Sequence, residues 1–140
     1  MGRIVAIDYG TKRTGIAVSD PEKIIATGLT TVPSHEIFKF LEKYLSENNV
    51  ECFVVGDPKQ MNNLASESAK AVNEFVKKLQ MKFKNIPVNR ADERFTSKMA
   101  IQSIRDSGLK KSDRQKKELV DMVSATILLQ SYMESNSSKL

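Results

Sequence analysis

"RIVAIDYGTKRTGIAVSD" spans residues 3–20, and its reading decides the fold. An apolar run climbs to Asp8, breaks at Tyr9-Gly10, passes Thr11-Lys12-Arg13 and resumes as Gly15-Ile16-Ala17-Val18. Two such runs around a short turn, over residues 3–8 and 14–19, predict a β-hairpin. Side chains alternate along a strand, so Asp8 shares a face with Ile4 and Ala6. A carboxylate at the end of that face belongs at the mouth of a cleft rather than in the deepest core. A turn or cap role is the plainer account of a single acid in such a place.

Working outward, a third strand is expected over about Ile24 to Val32, ended by Pro33. Ser34 with Glu36 then opens a helix whose apolar face carries Ile37, Phe38, Leu41, Tyr44 and Leu45. "ECFVVGDP" (residues 51–58) is a nearly continuous apolar strand, which implies a sheet covered on both faces. Ala65, Ala69, Val72, Val76, Leu79 and Phe83 recur at helical spacing. "NIPVNRADER" (85–94) reads as a short strand, with Pro87 near its start, where a missing N–H is tolerated. Thr96 or Ser97 caps a helix through Met99, Ile101 and Ile104 that Gly108 stops. Ser112 with Gln115 fits a capping box for a long helix to about Met133, leaving 135–140 as a frayed tail. The order βββαβαβαα predicts a single α/β domain, a mixed sheet with helices on its faces.

Composition narrows the partners. The chain has 140 residues, 40% hydrophobic and 28% charged, enough for one core and too few for two. Its net charge of +5 favours anionic partners, nucleic acid before membrane. One cysteine, Cys52, excludes an intrachain disulfide framework and any multi-cysteine zinc site. One histidine, His35, excludes a histidine-rich metal site and reads as a first-turn helix residue. Cys52 reads as a small core hydrophobe. No leader pattern and no run of membrane-spanning length is present, so a cytoplasmic protein is expected.

Asp8 is not the only acid that solvation leaves unexplained. Asp57 follows Gly56 at the end of the fourth strand, Asp92-Glu93-Arg94 follows the fifth, and Asp121 lies in the last helix between Val120 and Met122. Strand ends gather loops along one sheet edge, where α/β sites form. Carboxylates brought together repel one another unless a cation neutralises them. Mg²⁺ suits such oxygen ligands, and a pair of such ions serves phosphodiester hydrolysis without histidine or cysteine. Each acid also has a bland reading. Asp57-Pro58 is an ordinary turn pair. Asp92 and Glu93 suit the approach to a helix N-terminus. Asp121 is the hardest to dismiss, since unpaired acids rarely occupy an apolar helix face, and Lys117 or Arg94 are its alternative partners.

Phosphate is the natural counterpart of the basic residues. Lys12 and Arg13 fall in the hairpin turn beside Asp8, and Arg94 follows Glu93. Lys110, Lys111, Arg114, Lys116 and Lys117 surround the start of the last helix, where the N-terminus adds its own attraction for anions. A solvated lysine-rich loop explains the 109–118 segment equally well. No base-reading motif is present, and Tyr9 reads as a packing residue.

"IDYGTKRTGIAVSD", "VVGDPKQMN", "ADERFTS" and "VDMVSATILLQSY" together resemble the YqgF/RuvX family of pre-16S rRNA nucleases, once described as Holliday-junction-resolvase-like. The resemblance covers nearly the whole chain. It implies an RNase H-like domain over 1–134, a five-stranded mixed sheet with strand two antiparallel to its neighbours. It implies metal-dependent phosphodiester hydrolysis in maturing the 5′ end of small-subunit rRNA, with one or two Mg²⁺ or Mn²⁺ ions. By motif, Asp8, Glu93 and Asp121 are the expected catalytic metal ligands, Asp92 is the alternative to Glu93, and Asp57 is a further candidate ligand. The chain departs from the family pattern at Gly56-Asp57-Pro58, where relatives show Gly-Leu-Pro. It departs again at Met122-Val123, where relatives favour smaller residues that let the helix approach the sheet.

The leading expectation is therefore a nuclease acting on structured RNA (pre-16S rRNA or a ribosomal precursor particle). A Holliday junction resolvase-like DNA endonuclease acting on branched DNA, or a non-catalytic RNA-binding module, are the competing readings. The Asp-x-Gly hairpin also opens actin/Hsp70-type ATPases, but these need two such domains and a second phosphate loop, more than 140 residues hold.

Overall fold

The computed structural model describes residues 2–57, 67–92 and 113–137. Strands β1 (Arg3–Tyr9), β2 (Arg13–Ser19) and β3 (Ala26–Pro33) lead through a 3₁₀ turn (Ser34–Glu36) into helix α1 (Ile37–Glu47). Strand β4 (Val50–Asp57), helix α2 (Glu67–Lys82), strand β5 (Val88–Asp92) and helix α3 (Asp113–Ser137) follow. The strands form one sheet in the order β3-β2-β1-β4-β5. Strand β2 runs antiparallel to both β1 and β3, while β4 is parallel to β1 and β5. The mixed five-stranded sheet is thus the expected one. The helix expected over Thr96 or Ser97 to Gly108 lies outside the described residues.

Alternation along the strands divides the core into two layers. Val5, Ile7, Ile16, Phe53 and Val55 face α1 and α2, where Ile37, Leu41, Val72, Phe75 and Leu79 cover them. Ile4, Ala6, Ala17, Cys52 and Val54 face the other way, beneath Ala125, Leu128 and Leu129 of α3. Ala6, Gly15 and Ala17 keep the α3 side of β1 and β2 low, which lets one long helix lie close to the sheet. Interior strand β4 is buried on both faces over residues 52–56, as its nearly continuous apolar run requires. Truncating a side chain as enclosed as Leu128 to alanine costs about 2–5 kcal/mol.

Two boundaries differ from the sequence expectation. Strand β3 begins at Ala26 rather than Ile24, because the Asp20 carboxylate accepts the Ile24 and Ile25 N–H groups at 2.7 and 2.8 Å. That turn takes up the donors that a strand would spend on its ladder, and it holds Lys23 at φ 60°. Helix α3 continues to Ser137, one turn past Met133, so residues 135–137 are helical.

The close approach of α3 draws on the sheet as much as on the helix. Met122 and Val123 are large where small residues were looked for, yet the helix lies tight on β2 and β3. The room comes from the sheet: a Cβ on Gly15 would overlap the Asp121 carbonyl, and one on Gly28 would come within 2.9 Å of Met122 Cγ and Thr126 Oγ1.

Candidate active site

Asp8 is half-buried at the end of β1, on the α3 side of the sheet with Ile4 and Ala6, as parity predicts. Its register partner is Gly15, at the ~4.5–5.5 Å Cα separation of antiparallel pairs. Gly15 in turn lies against the backbone of Asp121. One glycine therefore joins the two aspartates, which the chain separates widely, at one end of the sheet. Asp121 is half-buried on the face of α3 that continues into Ser124, Ala125 and Leu128.

Asp121 has a partner that the sequence did not suggest. Arg13 Nε donates to its Oδ2 at 2.7 Å, with the two side chains 37% and 21% exposed. Arg13 has the same parity as Gly15, so it reaches α3 from the start of β2. Of the two cations looked for, Arg94 lies outside the described residues and Lys117 lies one turn before Asp121 on α3. Lys12, in the turn itself, is exposed.

The other expected residues distribute as follows. Asp57 and Asp92 are register partners at the ends of β4 and β5, the same end of the sheet as Asp8. Arg114, Lys116 and Lys117 lie in the first turns of α3. At about 1.5 Å per residue, that puts them one to two turns before Asp121. Glu93, Lys110 and Lys111 lie outside the described residues. Among the described residues no three His, Cys, Asp or Glu side chains gather into a metal cluster. None of the described helices is long and apolar enough to cross a membrane.

Ser34 is a positioning residue that sequence reasoning took only for a helix start. Its N–H donates to the Lys12 carbonyl at 3.0 Å and its Oγ to the Gly10 carbonyl at 2.5 Å. A hydroxyl has one proton, so Ser34 Oγ must accept from Thr14 Oγ1, 2.8 Å away. These bonds clasp the turn that carries Lys12 and Arg13. The only signal in the sequence was a serine following Pro33.

Tyr9 packs, as expected: its ring stacks on Phe75 with centroids 4.3 Å apart and planes 10° off parallel. Cys52 is a core residue whose thiol burial pushes up in pKa, away from nucleophilic use. His35 lies in the 3₁₀ turn.

A five-stranded sheet in this order, with a carboxylate at the end of β1 and another on the closing helix, is an RNase H-like fold. Two solved structures share it: RuvC of Thermus thermophilus in complex with a Holliday junction substrate (TM-score 0.60, 17% identity, covering 98% of this chain and 96% of that one) and T. thermophilus RuvC alone (TM-score 0.55, 15% identity, 97% and 96%). The chain belongs to the RuvX family, described as Holliday junction resolvase, whose model matches residues 2–135. Relatives named "Putative pre-16S rRNA nuclease" include those of Bacteroides thetaiotaomicron, 56% identical over 96% of this chain and 98% of that one, and Phocaeicola vulgatus, 57% identical over 96% and 97%. That of Flavobacterium johnsoniae is 54% identical over 96% and 98%.

Proposed function

We propose that this chain is a Mg²⁺- or Mn²⁺-dependent endonuclease that acts in the cytoplasm on structured RNA, the precursor of the small-subunit rRNA. The observation that carries the reading is the meeting of Asp8 and Asp121 across Gly15. Its RNA substrate follows the names of the full-length relatives.

The residues fit a hard divalent ion. The donors at this end of the sheet are carboxylates, and Ser124 Oγ, three residues beyond Asp121 on α3, is buried with no hydrogen-bond partner among the described residues. Asp8 and Asp121 would hold the ion, with Glu93, or Asp92 in its place, as the third ligand and Asp57 as a further candidate. When bound, such an ion activates water and neutralises charge on the phosphodiester.

The chain's own residues do the rest. Gly15 holds α3 against β2, which fixes the backbone of Asp121. Ser34 holds the turn that presents Lys12 to backbone phosphate. Lys110, Lys111, Arg114, Lys116 and Lys117, with Arg94, extend the contact by charge alone, so the affinity is salt-dependent and blind to sequence.

A second reading, cleavage of four-way DNA junctions, is favoured by the family's description and by the RuvC fold. One experiment separates them: purified protein with each metal, against precursor rRNA fragments and four-way junctions, beside Asp8→Asn and Asp121→Asn. Metal-dependent cleavage of the RNA, lost in both variants, supports the proposal, and junction cleavage alone transfers it to DNA. Binding of RNA without cleavage in any metal, unchanged in the variants, leaves an RNA-binding module instead.

A further inference from the structure

The ion pair between Arg13 and Asp121 occupies one of the two oxygens that Asp121 would offer the proposed metal. Gly15 packs against the backbone of Asp121, which keeps that residue at the end of the sheet. Asp8 is across the same glycine, on the same α3 side of the sheet. An acidic end of this kind needs a cation to offset its repulsion. The structure supplies one from the chain itself, at 2.7 Å and partly shielded from water. Arg13 is well suited to give the place up. It is joined through Nε, one of five donors, and it begins a strand beside an exposed turn rather than deep in the core.

We propose that Arg13 is a resident counter-cation, which holds the Asp121 carboxylate while the site is empty and yields it to the divalent ion. This rests on the reading of Asp8 and Asp121 as metal ligands. Arg13 is thus a positioning residue whose pairing is exclusive with metal, rather than a permanent clasp between β2 and α3. It tunes metal affinity downward, because the incoming ion must break an existing ion pair.

The test uses the full chain with ¹⁵N-labelled arginine, the Arg13 Nε–H resonance being identified by its loss in Arg13→Lys. In metal-free protein this proton is expected to exchange slowly with water. Mg²⁺ alone, added to saturation, is expected to move the resonance to the position and fast exchange of a solvated guanidinium. Calorimetry should show Mn²⁺ binding ~3- to 5-fold tighter in Arg13→Gln, the affinity equivalent of one partly exposed ion pair. A slow-exchanging Arg13 Nε–H that persists at Mg²⁺ saturation overturns the proposal while leaving the metal site standing. So does Mn²⁺ affinity unchanged or weakened in Arg13→Gln. Failure of the underlying reading looks different: no Mn²⁺ bound by the unaltered chain, or binding undiminished in Asp8→Asn, removes the site and the counter-cation together.

Discussion

Gly15 lies so close beneath Asp121 that no Cβ fits between β2 and the backbone of α3. The obstacle is a carbonyl oxygen, which cannot rotate away as a side chain can. Gly15→Ala must therefore lift or tilt the helix, costing at least the ~1–3 kcal/mol of an overpacked core. Gly28→Ala meets the flexible Met122 side chain and Thr126 Oγ1 instead, and should cost less. Urea unfolding of the two variants checks the order. Gly15→Ala should also weaken Mn²⁺ binding at a temperature where it remains folded, since it moves Asp121 away from Asp8.

Asp8→Asn and Asp121→Asn should each lower metal-dependent cleavage of precursor rRNA by ~10²–10³-fold, the scale for removing one preorganised charge from a reacting centre. Their stabilities should differ. Asp121→Asn gives up the ion pair with Arg13 and should melt below the unaltered chain without metal, whereas Asp8→Asn keeps that pair. Thermal melting with and without Mn²⁺ measures both.

Much of this site was legible because two periodicities carry it. Strand parity placed Asp8 on the face of Ile4 and Ala6, and helical spacing placed Asp121 with Ala125 and Leu128. That strand two runs antiparallel to its neighbours was legible only through the family resemblance, and the strand order not at all, since alternation says which face a residue occupies and not which strand lies beside it. Arg13 as the partner of Asp121 was hidden for the same reason: 108 residues separate them, and nearer cations offered themselves first. The tight seat of α3 was legible only in part, because Met122 and Val123 counted against it while the space is made by Gly15 and Gly28 in the sheet. The start of β3 was misread because Ile24 and Ile25 look like strand residues, and only Asp20 accepting their N–H groups takes them out of the ladder.

Ser34→Ala removes the acceptor of the buried Thr14 hydroxyl and the donor to the Gly10 carbonyl. Leaving buried partners unsatisfied costs about 1–3 kcal/mol, and the turn carrying Lys12 loses its clasp. Urea unfolding should show that loss. Adding Thr14→Val to it should cost less than the sum of the two changes, because the hydroxyl left without an acceptor is then gone. Additive costs would mean that the two hydroxyls do not depend on each other.

Asp20 predicts how acid reaches the molecule. The N–H of Ile25, and that of Ile24 beside it, hold its carboxyl below the ordinary aspartate value of 3.8. A depressed folded pKa means that the contribution is present above the unfolded value and lost as pH falls through the folded one. The 20–25 turn should therefore stay closed at pH 5 and open only below the usual aspartate range. Amide exchange at Ile24 and Ile25, compared with the chemical rate at each pH, reads this directly. Asp20→Asn retains an acceptor oxygen but no charge, so its turn should be looser at pH 5 and indifferent to further acid. Protection at Ile24 and Ile25 that falls equally with pH in both proteins would place the acid-sensitive group elsewhere.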